Sequence, residues 1–250
     1  MKKTYKFPKQ ISRRSFVQNT AKGAIGAAML PIILPACSGG KGANERITIG
    51  HIGVGDRGTQ ELMYYLLPLK EVVNVAVCDT FRDRREKAAG QINSFYREND
   101  TVGEVCKSYL DMDELLDRKD IDAVHITTPD HWHVLAAIKA ARKGKHIMLA
   151  KPLGLSYPEY MVLARELKKN DVRFHYGTQQ RSFEHMQLGY NLIRDGLIGD
   201  IEKVDVWCPG KNAVSSPVCN EVPVPPDFDF DRWTGPAPLR PYCPDRVTNN

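Results

Sequence analysis

The run Gly53-Val54-Gly55-Asp56-Arg57-Gly58 constrains this chain more than any other, because it follows the apolar stretch Ile47-Thr48-Ile49-Gly50-His51-Ile52 and opens an amphipathic segment. In that setting G-x-G-x-x-G predicts a strand, a tight turn and a helix, the first unit of a sheet that binds a dinucleotide. Gly53 permits the turn, Gly55 lets the backbone approach a pyrophosphate, and Gly58 allows the helix to close on the strand. The amides at the helix start, at Asp56 and Arg57, then face the phosphates with the positive end of the helix dipole behind them. A second apolar stretch ends at Cys78-Asp79, so a carboxylate stands 21 residues beyond Gly58. That is close to the spacing at which an acid accepts hydrogen bonds from the adenosine ribose hydroxyls. An ionised Asp79 repels a 2′-phosphate, which predicts NAD over NADP, although Arg82, Arg84 and Arg85 are near enough to soften the preference.

From Glu45 onward short apolar runs alternate with amphipathic ones, the pattern of a parallel sheet flanked by helices. Strands are predicted at Ile47–Ile52, Val72–Val77, Asp122–Thr127, His146–Leu149 and Arg173–Gly177, with helices starting near Gly58, Asp83, His131 and Pro158. The third of these helices is the best punctuated. Asp130 can N-cap it, Val134, Ile138 and Ala141 mark its apolar face, Arg142 and Lys143 suit its negative end, and Gly144 can stop it. The expected fold is α/β: a Rossmann doubly wound parallel sheet over residues 46–180, followed at 181–250 by the start of an α+β second domain with an antiparallel sheet.

The first 37 residues stand apart from that fold. Lys2, Lys3, Lys6, Lys9, Arg13, Arg14 and Lys22 all precede Cys37 and no acid does, and the apolar run AAMLPIIL follows them. A basic stretch, an apolar run and small residues make the layout of a signal peptide, and the run is too short to span a bilayer. Ser12-Arg13-Arg14-Ser15-Phe16-Val17 resembles a twin-arginine signal, read by machinery that exports folded cargo. Leu34-Pro35-Ala36-Cys37 resembles a lipoprotein cleavage site, which implies a lipid anchor at Cys37, a linker over 38–45 and a periplasmic, membrane-anchored location. The formal charge of +5 also resides there: without those seven residues, 28 bases of the 35 face 30 acids. A body so nearly neutral carries no basic stripe for nucleic acid.

Beyond Cys37 the cysteines are Cys78, Cys106, Cys208, Cys219 and Cys243, an odd number without close pairs, which predicts buried or idle thiols rather than a disulfide framework. A Cys208–Cys219 bridge is the alternative in an oxidising compartment. His131-x-His133 lacks a nearby carboxylate or thiolate to complete a metal site, so no metal is expected.

The stretch HITTPDHWHVLAAIKAARKGKHIMLAKPLGLSYPEY, residues 125–160, resembles the Gfo/Idh/MocA family of NAD(P)-dependent oxidoreductases. Tyr109-Leu110-Asp111 before Glu114-Leu115-Leu116, the run Gly177-Thr178-Gln179-Gln180-Arg181 and Asp195-Gly196-Leu197-Ile198-Gly199 extend the resemblance. Ile201–Trp207 looks like the first strand of that family's second domain, and Trp233-Thr234-Gly235-Pro236-Ala237-Pro238 resembles a loop of its exported bacterial members. The resemblance implies a sugar, polyol or related substrate. It places Thr127, Thr128 and Pro129 beside the cofactor and His133 near the reacting groups. It also makes Lys151 the residue closest to both the nicotinamide and a substrate hydroxyl.

Two departures stand out. The family's Glu-Lys-Pro is Ala150-Lys151-Pro152 here, removing a carboxylate that orients the lysine. Family members also continue through a large antiparallel sheet that carries further substrate contacts and pairs subunits into homo-oligomers, so the 250 residues read as a truncated form. Three functions stay open on the sequence: a sugar or polyol oxidoreductase, a redox-neutral glycosidase that oxidises, eliminates and re-reduces, and a binding protein that keeps the dinucleotide fold without turnover. An exported enzyme has no nicotinamide pool to draw on, which favours a cofactor that is carried across and recycled in place.

Overall fold

The computed structural model describes residues 46–99, 105–207 and 220–247. The readings made for the leader, for Cys37 and for the linker lie outside them. Six parallel strands form one sheet: β1 (Ile47–Ile52), β2 (Val72–Cys78), β3 (Lys107–Tyr109), β4 (Ala123–Ile126), β5 (His146–Ala150) and β6 (Phe174–Gly177). Their spatial order is β3-β2-β1-β4-β5-β6, so the direction of winding reverses between β1 and β4. That reversal opens a crevice at the carboxyl ends of the two strands, where doubly wound folds bind their ligands.

Helices α1 (Asp56–Glu61), α2 (Arg82–Glu98), α3 (Met112–Leu116), α4 (Asp130–Arg142) and α5 (Tyr157–Lys169) connect the strands. Ile52, Val75, Val77, Ile126 and Leu149 fill the sheet side of the core, and Ile92, Ala137, Ala141 and Leu163 close it from the helices. The helix over 130–142 has the predicted buried face and ends at Gly144, whose φ of +70° favours glycine. Its N-cap, however, is Pro129, and Asp130 is its first helical residue without a capping hydrogen bond. The proline ring fixes φ at the point where the chain enters the helix, and no side chain caps the first amides. Helix α1 passes directly into a wider turn at Leu62–Leu66, which carries Leu62 and Leu66 into the core.

Three expectations are corrected. Strand β3 was not predicted, because it is three residues long and largely polar. Residues Ile201–Trp207 join no ladder among the described residues, and Val206 and Trp207 are 85% and 84% exposed. An alternating apolar pattern forms a strand only where a partner satisfies its backbone. Cys243 is disulfide-bonded, its partner lying outside the described residues, whereas Cys78 and Cys106 are buried free thiols as expected. Past α6 (Glu184–Arg194) the described chain runs to residue 207 and resumes at 220, carrying α7 (Phe230–Thr234) and α8 (Pro244–Val247). Phe228, Phe230, Tyr242 and Val247 make a small core of their own with Phe81 and Trp233 against it.

Candidate functional site

The glycine turn is built into the sheet at the point of reversal. The amide of Gly53 donates to Cys78 O (2.8 Å), and the hydroxyl of Thr127 donates to Gly53 O (2.6 Å), so the tip of β1 is tied to both neighbouring strands. Gly53 has φ +87°, and a Cβ there would lie 2.7 Å from the Thr127 carbonyl. A Cβ at Gly58 would overlap Gly53 O and Thr127 Oγ1. Gly55 differs: the nearest neighbour to its missing Cβ is the tip of Arg84, 3.3 Å away. The backbone at Gly55 is therefore open to the cleft, as required where a pyrophosphate comes close.

The cleft measures about 1160 Å³ and takes in Gly53, Gly55, Arg57, Asp79, Thr127, Thr128, Pro129, His133 and Lys151 together. Of the residues predicted from the sequence, only Asp56 and Gly58 are not on its wall; both belong to the turn that shapes it. Asp79 accepts from the amides of Val54 (2.8 Å) and Phe81 (2.9 Å) and so reads the glycine turn directly. Burial pushes its carboxyl upward, opposed by those two amides and by the Arg84 guanidinium. Arg84 itself lies 4.1 Å above the ring of Phe81, a cation–π contact at the edge of the adenosine end.

On the other side of the reversal, Thr128 buries a hydroxyl that has no hydrogen-bond partner among the described residues. An orphaned polar group of this kind fits a site that a ligand completes. Open backbone at Gly55, a carboxylate at Asp79 and an unsatisfied hydroxyl at Thr128 together match the needs of a dinucleotide. Lys151 follows the last residue of β5; its side chain is exposed to the cleft and makes no ion pair among the described residues. His133 lines the same cleft, but its ring is buried and spent on main chain: Nε2 faces Thr128 O (2.8 Å) and Nδ1 faces Pro152 O. It joins the start of α4 to the turn that carries Lys151. His131 turns its Nε2 to Trp233 O (2.8 Å). No group of three or more metal-ligating side chains occurs among the described residues.

Beneath the glycine turn lies a polar chain that the sequence reading missed. The side-chain amide of Asn74 donates to Tyr96 Oη (3.0 Å), leaving its oxygen for His51 Nε2 (2.8 Å). His51 Nδ1 in turn faces His125 Nδ1 (3.3 Å), and His125 Nε2 faces a carboxylate oxygen of Glu61 (3.0 Å). Burial, and then the neighbouring His125, pushes His51 down to about 3. Hydrogen bonding from His125 is the largest influence on Glu61 and holds it below the usual carboxylate range against the cost of burial. Glu61 also holds Arg57 Nε (2.6 Å). With the Gln179 amide turned so that its nitrogen donates to Gly177 O (2.6 Å), its oxygen accepts from Arg57 Nη2 (2.5 Å). Arg57 thus stands in the cleft on two supports, of which only the four-residue spacing to Glu61 was visible in the sequence.

Residues 47–178 match the Gfo/Idh/MocA model, described as an oxidoreductase family with an NAD-binding Rossmann fold. A glycosyl hydrolase family 109 protein of Shewanella sp. (strain MR-4) is 31% identical over 72% of this chain and 37% of its own length. The alpha-N-acetylgalactosaminidase of Shewanella oneidensis is 31% identical over 76% of this chain and 44% of its own. The chain thus spans less than half the length of these curated relatives. Among solved structures, scyllo-inositol dehydrogenase from Lactobacillus casei with bound NAD(H) and scyllo-inositol superposes with a TM-score of 0.52 at 22% identity, over 62% of this chain and 43% of that one. Myo-inositol 2-dehydrogenase from Lactobacillus plantarum gives 0.52 at 24%, over 62% and 43%. At such identities the superpositions show the shared fold.

Proposed function

Because the chain belongs to the Gfo/Idh/MocA oxidoreductase family, whose matching domain is an NAD-binding Rossmann fold, we propose that it oxidises a hydroxyl of a sugar, polyol or glycoside with NAD. The observation that carries this reading is the unpaired Lys151 on the wall of the cleft that also holds the glycine turn. When bound there, the nicotinamide supplies a hydride acceptor. Asp79 receives the ribose hydroxyls, the amides around Gly55 and the Arg57 guanidinium meet the pyrophosphate, and the Thr128 hydroxyl gains a partner. Lys151 Nζ receives the proton of the substrate hydroxyl as its carbon becomes a carbonyl, and returns it in the reverse direction. His133 is a positioning residue: it fixes the carbonyls of Pro152 and Thr128 on either side of the reacting space.

The names of the 31%-identical relatives favour a second reading, a redox-neutral glycosidase. Oxidation of a ring hydroxyl acidifies the adjacent C–H, loss of that proton expels the aglycone, water adds to the unsaturated ketone, and the returned hydride restores the alcohol. This route needs no external oxidant. It suits an exported lipoprotein working in the periplasm, the location we propose from the twin-arginine and Leu-Pro-Ala-Cys features. The Cys243 disulfide supports an oxidising compartment. Pairing of copies through a longer second domain is part of the same proposal.

The test is to incubate the protein with aryl glycosides, free sugars and inositols, following NADH and aglycone release separately, beside a Lys151→Ala variant. NADH formation with a keto product supports net oxidation; cleavage without NADH supports the redox-neutral route. Loss of either activity in Lys151→Ala with dinucleotide binding kept supports the assigned role. Dinucleotide binding with no turnover of any substrate in the wild type would replace both readings with a binding protein.

A further inference from the structure

Residues 227–235 lie far from the glycine turn in sequence, yet Asp229, Asp231, Arg232, Trp233 and Gly235 form part of the wall of the same cleft. One end of this segment is sewn to the lip beyond β2. The amide of Arg82 donates to Asp227 O (2.8 Å), that of Asp229 donates to Thr80 O (3.1 Å), and the rings of Phe81 and Phe228 stack 3.9 Å apart. The other end is fixed to the first turn of α4. There Trp132 Nε1 donates to the carbonyls of Arg232 and Trp233 (3.0 Å each), and the Trp132 ring packs so tightly on Gly235 that a Cβ would overlap it. Between these anchors the Arg232 guanidinium pairs with Asp111, two residues past β3, at 2.6 Å and with Asp229 at 3.1 Å.

The segment therefore spans from the strand that carries Asp79 to the helix that follows Thr128. Those are the two sides of the crevice across which a dinucleotide lies, with its adenosine end toward Asp79 as ribose acceptor. We propose that residues 227–235 are part of the cofactor site, a strap that closes its adenosine end and retains the dinucleotide, latched by the Arg232–Asp111 ion pair. The inference rests on the reading of the cleft as the NAD site. It accounts for how a chain removed from any nicotinamide pool keeps one molecule through many turnovers.

The latch is charge-assisted, with Asp111 half-buried and Arg232 exposed. The Asp113 amide and Arg232 hold Asp111 below its usual range despite the cost of burial, so the pair is intact at neutral pH. Because the Arg232 end is open to solvent, screening limits the pair, and its loss should speed the lifting of the strap by about two- to fivefold.

The experiment loads the full chain with isotope-labelled NAD, chases with excess unlabelled NAD, and follows loss of label in wild type, Arg232→Ala and Asp111→Asn. Asp111→Asn keeps the size of the side chain and its cap to Asp113, so it stands if Arg232→Ala fails to fold. Release faster by about two- to fivefold in the variants, with association little changed and the double variant no faster than Arg232→Ala alone, supports the strap. Release at the wild-type rate in folded variants overturns the strap alone. A wild type that takes up no dinucleotide overturns the strap together with the NAD site on which it rests.

Discussion

The hydroxyl of Thr127 donates to the carbonyl of Gly53 over 2.6 Å, binding the end of β4 to the glycine turn where the winding of the sheet reverses. Gly58 lies against both partners of this bond, since any Cβ on it would overlap Gly53 O and Thr127 Oγ1. Gly58→Ala is expected to lower stability by about 1–3 kcal/mol through overpacking and to weaken dinucleotide binding with it. Denaturant midpoints and titration with NAD check both; unchanged stability would mean that the turn relaxes at no cost.

Gly55→Ala should do the opposite. Its Cβ meets only the mobile end of Arg84, so stability should stay within about 0.5 kcal/mol of wild type. The added methyl stands where the pyrophosphate approaches, so NAD affinity should still fall by about tenfold or more. An affinity equal to wild type would place the phosphates elsewhere.

In the proposed site Asp79 sets the choice of cofactor. Replacing it with serine removes the charge that repels a 2′-phosphate while leaving Arg82, Arg84 and Arg85 nearby. The NADP to NAD affinity ratio should rise by about tenfold or more, the effect of roughly 1.4 kcal/mol. A ratio unmoved by the substitution would exclude Asp79 as the ribose acceptor.

How much of this was legible follows the range of the interactions. Gly53, Gly55, Gly58 and Asp79 act through local backbone geometry and a fixed strand–helix spacing, and the sequence showed them. The apolar face of α4 was visible for the same reason. Asp111 and Arg232 are 121 positions apart, and nothing local marks them as a pair. Nothing in the sequence marked His51 and His125; their meaning depends on β1 and β4 being neighbours, with His51 opposite His125 in register. Ile201–Trp207 failed for the converse reason, a strand pattern without a partner strand among the described residues.

The His51–His125 contact carries a pH dependence. In the unfolded chain His51 takes up a proton as pH falls through its ordinary 6.5, but in the fold it stays neutral until about 3. The unfolded state thus binds more protons between these values, so stability present above 6.5 is lost progressively as pH falls toward 3. Glu61, held low by His125 and Arg57, adds to the loss below 4.5. Denaturant midpoints across this range should slope less in His51→Asn than in wild type; equal slopes would remove His51 as the source.

Replacing His133 with leucine leaves the carbonyls of Pro152 and Thr128 without their ring partner. Stability should drop by about 1–3 kcal/mol, and turnover should fall more than substrate affinity because the Lys151 turn loses its support. A variant with full turnover would separate His133 from the placement of Lys151.

The central claim is that this cleft holds NAD. Its most direct measurement is to purify the chain, denature it, and examine the released small molecules by mass spectrometry, with thermal melting in added NAD and NADP alongside. The account predicts NAD in the supernatant, or a melting temperature raised by NAD more than by NADP. No dinucleotide in the supernatant and no shift with either one would contradict it.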